Sequence, residues 1–259
     1  RWQLQQHPAE FQQKLSVIHD GVDTERIKPD PQVTGRLKEG LNLKAGDEVI
    51  TYVARNLEPY RGFPQFMRAS ALILKRRPNA QILVVGGDGA SYGKPAGDGQ
   101  TYRQQMLAEL GAELDLSRIH FLGHVKYDVF LRVLQLSAAH IYLTFPFVLS
   151  WSMLEAMAAG CLVIGSSTAP VEEVIKNGQN GLLVNFFSPE EIAECVDQVL
   201  EHPTHMAHLR SAARQTILDH YALESCLQQQ IQLILMLARG EKVRQIARNV
   251  EHPARAAVR

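Results

Sequence analysis

Long apolar runs are missing from this chain of 259 residues. No segment approaches the roughly 18 residues that a membrane-spanning helix needs. No signal peptide is recognisable either: the chain opens on Arg1 instead of Met and is rich in glutamine over residues 1–16. That opening is expected to be a connecting segment cut from a longer protein. Cysteine is scarce. Cys161, Cys195 and Cys226 are odd in number and form no C-x-x-C pair, so reduced core thiols in a cytosolic protein are expected instead of a disulfide framework. A surplus of charge is missing too. Lys+Arg and Asp+Glu both number 27, which removes any general attraction to nucleic acid or to an anionic membrane.

Several cofactor and metal motifs are lacking. A phosphate loop needs G-x-x-x-x-G-K-[ST]; here Gly93-Lys94 is preceded by Asp88 at the first glycine position and followed by Pro95. The dinucleotide fingerprint G-x-G-x-x-G fails at Tyr92, after Gly87-Asp88-Gly89. His202, His205 and His208 are crowded. A helix starting at Pro203-Thr204 leaves only His205 and His208 on one face, with no cysteine or carboxylate at zinc spacing. No metal and no resident cofactor are therefore expected.

What is present is an alternation of short apolar strands with helices of about 10–15 residues, the pattern of a parallel sheet covered on both faces. Strands are expected at Leu15–Ile18, Val49–Ala54, Gln81–Val85, Ile119–Leu122, Ala139–Thr144, Leu162–Ile164 and Gly181–Val184. Helices are expected at Phe63–Arg77, Tyr102–Leu114, Val129–Ser137, a short one from Ser152 to Gly160, Val171–Lys176, and one opened by Ser188-Pro189. Further helices should follow in series to about Ala247, with the end frayed after Val250. The fold class is thus α/β, Rossmann-like, with residues 17–220 as one nucleotide-binding domain and 221–259 as a helical tail.

The most telling unit is strand, loop, helix and strand across residues 139–164. Its loop Phe145-Pro146-Phe147-Val148-Leu149 lies at the carboxyl end of a strand, where open α/β sheets bind ligands. The following helix start offers free backbone N–H groups at Val148, Leu149 and Ser150 and a positive dipole end, a natural anion site. Ser152 and Glu155 have capping-box spacing. A carboxylate so engaged has fewer lone pairs for a ligand.

This unit resembles the donor-site signature of group-one (family four) retaining glycosyltransferases, enzymes of the two-domain GT-B fold. Further motifs follow in the same order. Val17–Asp23 is similar to the family's entry turn. Ala54–Gly62 resembles its basic diphosphate motif, with Arg55 at the arginine and Arg61 where lysine is usual. Gly87-Asp88-Gly89 and Phe121–Val125 resemble loops that approach the sugar and the base, and Ala169–Ile175 and Asn180–Val184 the segment after the donor helix. Only the carboxyl-terminal, donor-binding half is covered, over most of residues 15–220.

The resemblance implies a nucleoside-diphosphate sugar donor and a carbohydrate or lipid-linked acceptor. It also implies an absent amino-terminal domain that carries the catalytic histidine. Arg55 and Arg61 would hold the diphosphate with the N–H groups of residues 148–150, and Glu155 the ribose; Gly87, Asp88, Val125 and Phe147 would lie near the base or sugar. The family's first glutamate falls on Phe147, so the sugar pocket should be less polar or differently shaped. The setting implied is cytoplasmic, at the inner face of the membrane, in polysaccharide synthesis. Two other readings remain open: a degenerate nucleotide-binding or regulatory module without transfer activity, and a phosphorylase or epimerase of the same fold.

Overall fold

A computed structural model describes residues 1–37, 40–97 and 99–240. The chain begins with two short helices, α1 (Trp2–Gln5) and α2 (Ala9–Gln12), then a hairpin of β1 (Thr34–Arg36) and β2 (Asn42–Lys44). The main body follows as β3 (Val49–Asn56), α3 (Phe63–Arg76), β4 (Gln81–Gly87), α4 (Tyr102–Leu110), β5 (Ile119–Gly123) and α5 (Tyr127–Leu136). Its second part is β6 (Ala139–Tyr142), α6 (Trp151–Ala158), β7 (Val163–Ser166), α7 (Ala169–Glu172) and β8 (Leu182–Val184). Helices α8 (Pro189–Glu201), α9 (Ala207–His220) and α10 (Leu223–Ala238) finish the described chain.

Strands β3 to β8 pair in parallel in the order β5-β4-β3-β6-β7-β8. The chain winds outward from β3 to β5, returns beside β3 as β6, and winds outward again to β8. This is a doubly wound Rossmann-like sheet, and its strand order reverses between β3 and β6. In such sheets the crevice at the strands' carboxyl ends beside this switch point is where ligands bind.

Helices cover both faces. On one, Phe63, Phe66, Met67, Ile73 and Leu74 of α3 pack with Ile192, Val196 and Val199 of α8 over Ile50, Tyr52, Ile82 and Ile164. On the other, Met153, Ala156 and Met157 of α6 meet Ala213 and Ile217 of α9. Gly62, which precedes α3, has φ 68°. A Cβ there would come 2.5 Å from Leu143 Cβ, so only glycine lets β3 turn this closely past β6. That turn fixes where Arg61 points.

Several sequence expectations are corrected. Leu15–Ile18 forms no strand; the chain is tied in a little later, where Val22 bridges Ala222. The hairpin β1–β2 was not expected. Residues 111–113 form a 3-10 turn after α4, and α5 begins at Tyr127, two residues early. Strand β6 stops at Tyr142, β7 runs Val163–Ser166, and α7 spans Ala169–Glu172 instead of Val171–Lys176. The expected helical residues 241–247 and the frayed end lie outside the described residues. All three cysteines are free and buried, and burial pushes the thiols of Cys161 and Cys195 up to about 12.

Helix α4 carries a reciprocal capping box. Thr101 Oγ1 accepts from the Gln104 N–H at 3.2 Å, and Gln104 Oε1 accepts from the Thr101 N–H at 2.8 Å. Thr101→Ala is expected to lower stability by about 1 kcal/mol, read as a shift in the urea midpoint with an unchanged denaturant slope.

Candidate functional site

The centre of the crevice is Arg61. It ends the 3-10 turn Pro59–Arg61 that follows β3, and only 8% of it is exposed. Its backbone carbonyl accepts from the Tyr52 hydroxyl at 2.8 Å. Nη1 donates to Thr144 Oγ1 at 2.8 Å, to the Val148 carbonyl at 3.2 Å and to Tyr142 Oη at 3.3 Å. The guanidinium carbon lies 5.1 Å from the Tyr92 ring centre and 5.9 Å from that of Phe147. No carboxylate among the described residues pairs with it. A buried cation without an anionic partner is costly, and this one is held by hydroxyls, a carbonyl and two aromatic rings instead.

The loop between β6 and α6 is tied down on every side. Ser166 Oγ accepts from the Thr144 N–H at 3.0 Å and donates to its carbonyl at 3.1 Å. Tyr142 Oη accepts from the Ser150 N–H at 2.8 Å. The Ser150 N–H is thereby satisfied within the protein and is not among the free donors expected there. Those of Val148, Leu149 and Trp151 make no hydrogen bond among the described residues. Leu149 packs into the α6–α9 cluster, whereas Val148 is exposed. Phe147 stands edge-on to Tyr92, ring centres 5.0 Å apart, forming an apolar wall beside Arg61.

The expected capping box at α6 is absent. Ser150, with φ −79° and ψ 142°, is the N-cap, and its Oγ accepts from the Ser152 N–H. Glu155 therefore lies beyond the first turn and its carboxylate is released from capping. One oxygen, Oε1, accepts from the Tyr127 hydroxyl at 2.8 Å. Burial raises the Glu155 pKa from its ordinary value, and the Tyr127 hydrogen bond opposes that rise.

Arg55 is exposed at the end of β3 and shares no partner with Arg61. Its neighbour Asn56 turns to the opposite side, as the strand pleat requires, and donates from Nδ2 to Ser91 Oγ at 2.6 Å. At Gly87 a Cβ would come 2.2 Å from His124 Nε2 and 2.8 Å from Asn56 Oδ1, so this corner is closed to any side chain. Asp88 pairs with Arg103 at 2.6 Å. Val125 packs on the apolar cluster beneath β1 and β2.

Residues the sequence did not single out complete the site. Fully buried Glu58 accepts through Oε2 from the N–H groups of Ser91, Tyr92 and Gly93 at 3.1, 3.1 and 3.2 Å. It thereby seats the loop that brings Tyr92 onto Arg61, while its Oε1 is buried without a partner. A carboxylate inside the motif Leu57-Glu58-Pro59-Tyr60-Arg61 was the available signal. Tyr127 at the start of α5 looks like an ordinary surface aromatic until its hydroxyl is traced.

A cavity of about 480 Å³ opens at the opposite end of the sheet, lined by Pro29, Asp47, Ser137, Gly160, Pro203 and Arg210. Arg210 spends its guanidinium there on the carbonyls of Ser137, Ala138 and Gly160. The carboxylates lining that cavity include Asp30 and Asp47, which accept from the backbone N–H groups of Gln32 and Lys44. It lies away from the strands' carboxyl ends, where sheets of this kind bind ligands, so the crevice at Arg61 is the stronger site. Among the described residues no three His, Cys, Asp or Glu side chains gather as a metal site. No described helix is long and apolar enough to cross a membrane.

Comparison with known proteins agrees with this geometry. The family model for glycosyl transferases group 1 matches residues 34–216, and that for the glycosyl transferase family 4 group matches residues 1–27. D-inositol 3-phosphate glycosyltransferase of Rhodococcus jostii is 28% identical over 214 residues, covering 82% of this chain and 45% of the relative. Sucrose-phosphate synthase from Thermosynechococcus elongatus superposes with a TM-score of 0.72 at 19% identity, over 87% of this chain and 53% of that one. Anabaena Alr3699/HepE, solved in complex with UDP, gives 0.68 at 20% identity, over 85% and 57%. The chain thus spans about half the length of these proteins. With the group 1 model covering the whole parallel sheet and the crevice above it, the chain belongs to the group 1 glycosyl transferases, as their carboxyl-terminal, Rossmann-like GT-B domain.

Proposed function

We propose that this domain binds the nucleoside-diphosphate end of an activated sugar, and that the complete enzyme transfers the sugar with retention to a carbohydrate or lipid-linked acceptor. One observation carries the reading: a buried, carboxylate-free arginine stands at the switch point of the sheet, facing the start of α6. Diphosphate gains charge as the glycosidic bond breaks, and fixed cations and backbone N–H groups stabilise that charge. Arg61 and the N–H groups of Val148 and Leu149 are assigned to the diphosphate, with Arg55 as an outer cation. Glu155 is assigned to the ribose diol. Gly87, Asp88, Val125 and Phe147 are assigned to the base and sugar side, where Phe147 and Tyr92 offer rings instead of hydrogen-bond acceptors.

The acceptor and the catalytic groups are assigned to a second domain across the crevice. Two observations support this. The chain spans about half the length of its relatives. Helix α10 also leaves Leu227, Ile231, Ile234 and Leu235 exposed along one side, a stripe that calls for cover. The bound nucleotide is expected to give saturable heat in calorimetry at millimolar concentration or below with one of UDP, GDP or ADP. No heat from any of the three overturns the proposal.

Phe147 favours a second reading, a nucleotide-binding module that transfers nothing. The two separate in an assay of labelled sugar transfer by the complete protein. Nucleotide binding without transfer selects the module.

A further inference from the structure

We propose that Tyr127 is the positioning residue of the ribose site: its hydroxyl pins one oxygen of Glu155 and aims the other at the ribose diol. The inference rests on the nucleotide-binding reading above and adds a residue to it. Glu155 Oε1 takes the Tyr127 hydroxyl hydrogen at 2.8 Å, and Oε2 has no hydrogen bond among the described residues. A glutamate in mid-helix, released from capping, rotates about three side-chain bonds; fixing one oxygen removes most of that freedom before a ligand arrives.

Tyr127 is itself held from two sides. Arg26 lays its guanidinium over the Tyr127 ring, 4.5 Å from the centre, and Phe130 packs at 5.6 Å. The turn carrying Arg26 is hydrogen-bonded from two sides. Asp23 Oδ1 accepts from the N–H groups of Glu25 and Arg26 at 3.2 and 3.0 Å. Arg214 of α9 donates to the carbonyls of Thr24 and Ile27 at 3.3 and 3.0 Å. Three segments far apart in sequence thus converge on one carboxylate.

The chemistry of the pin matters. Arg26 stacks on the ring and pairs with no carboxylate among the described residues. A phenol bonded to Oε1 leaves the negative charge of Glu155 in place and Oε2 free to accept from a hydroxyl. An arginine in the same position would occupy both oxygens as a fork. Burial and the adjacent Glu155 both push the Tyr127 hydroxyl well above its usual range, so it stays a donor at any working pH.

The test uses whichever of UDP, GDP and ADP binds the protein, and its 2′,3′-dideoxy form. Wild type should prefer the diol. Tyr127→Phe keeps the ring under Arg26 and removes only the hydroxyl. It should bind the diol nucleotide about five- to tenfold more weakly and the dideoxy nucleotide as wild type does, with an unchanged melting temperature. Glu155→Gln should abolish the preference in both backgrounds. An unchanged diol-to-dideoxy ratio in Tyr127→Phe overturns the inference, as does equal weakening of both ligands or tighter diol binding. Failure of the underlying reading looks different: wild type then binds none of the three nucleotides, or binds one with no preference for the diol.

Discussion

Arg61→Ala is expected to weaken nucleoside-diphosphate binding about 10- to 150-fold while leaving the affinity for the parent nucleoside within about twofold. The first figure is the roughly 1.5–3 kcal/mol of one charge-assisted hydrogen-bond set. A guanidinium carries five N–H donors. In Arg61, Nη1 shares its two among Thr144, Tyr142 and Val148, and Nη2 and Nε donate to nothing among the described residues. Those three remaining donors are the ones available to phosphate oxygens, and the absence of a competing carboxylate leaves the full charge for them. The same residue props the loop from Thr144 to Ser150, so Arg61→Lys is the necessary companion. Lysine keeps the charge but not the planar fork and should fall between wild type and alanine for the diphosphate. Equal loss of diphosphate and nucleoside in Arg61→Ala, with a lowered melting temperature, would make Arg61 a loop prop and remove it from the ligand site.

The sheet was largely readable in the sequence because its central strands are buried on both faces and are rich in apolar residues. Residues 49–54 of β3 and 82–85 of β4 are of this kind. Leu15–Ile18 is a different case. An apolar run states that a segment wants burial, not that a partner strand waits beside it, and this one finds none. The hairpin β1–β2 is missed for the opposite reason: Thr34-Gly35-Arg36 and Asn42-Leu43-Lys44 hold one apolar residue between them, whereas the equally short β8 reads Leu-Leu-Val.

At the site, the placing of Arg61 followed from its position after a strand, but its company did not. Glu58 reaches residues 91–93, Arg61 reaches Tyr142 and Val148, and Tyr127 reaches Glu155. Such pairings are set by how elements stack, which a linear pattern does not encode. The choice between Ser150 and Ser152 as the cap of α6 is the finest case. Both residue types suit the role. Tyr142, eight residues earlier, takes the Ser150 N–H and holds that residue in extended backbone, so the helix starts at Trp151, two residues before a Ser152 cap would start it. A local competition was decided by a tertiary hydrogen bond, and it freed Glu155.

The second large effect is on stability and comes from His140. This residue lies on β6, next to β3 in the middle of the sheet, and is fully buried. Its Nδ1 is 2.8 Å from Thr51 Oγ1, which is 2.7 Å from Ser137 Oγ; Nε2 is buried without a partner. Among the described residues no carboxylate is placed to accept a second ring proton, and desolvation pulls the imidazole from its ordinary 6.5 down to about 4. The sign follows from linkage. Below pH 6.5 the unfolded chain gains a proton that the folded chain refuses until pH falls to about 4, so stability is full above the unfolded value and is lost across that window. At about 1.4 kcal/mol per pH unit, the loss approaches 3 kcal/mol at pH 4. His140→Asn keeps a hydrogen-bonding partner for Thr51 and removes the titration. Carboxylates contribute to the pH dependence of both proteins and cancel in the difference. Urea unfolding of wild type and His140→Asn at intervals from pH 7 to pH 4 should therefore show the wild type losing about 3 kcal/mol more than the variant, even if the variant starts lower. Parallel curves would mean that His140 accepts its proton in the folded state, through water reaching Nε2 or a shift of β6 against β3.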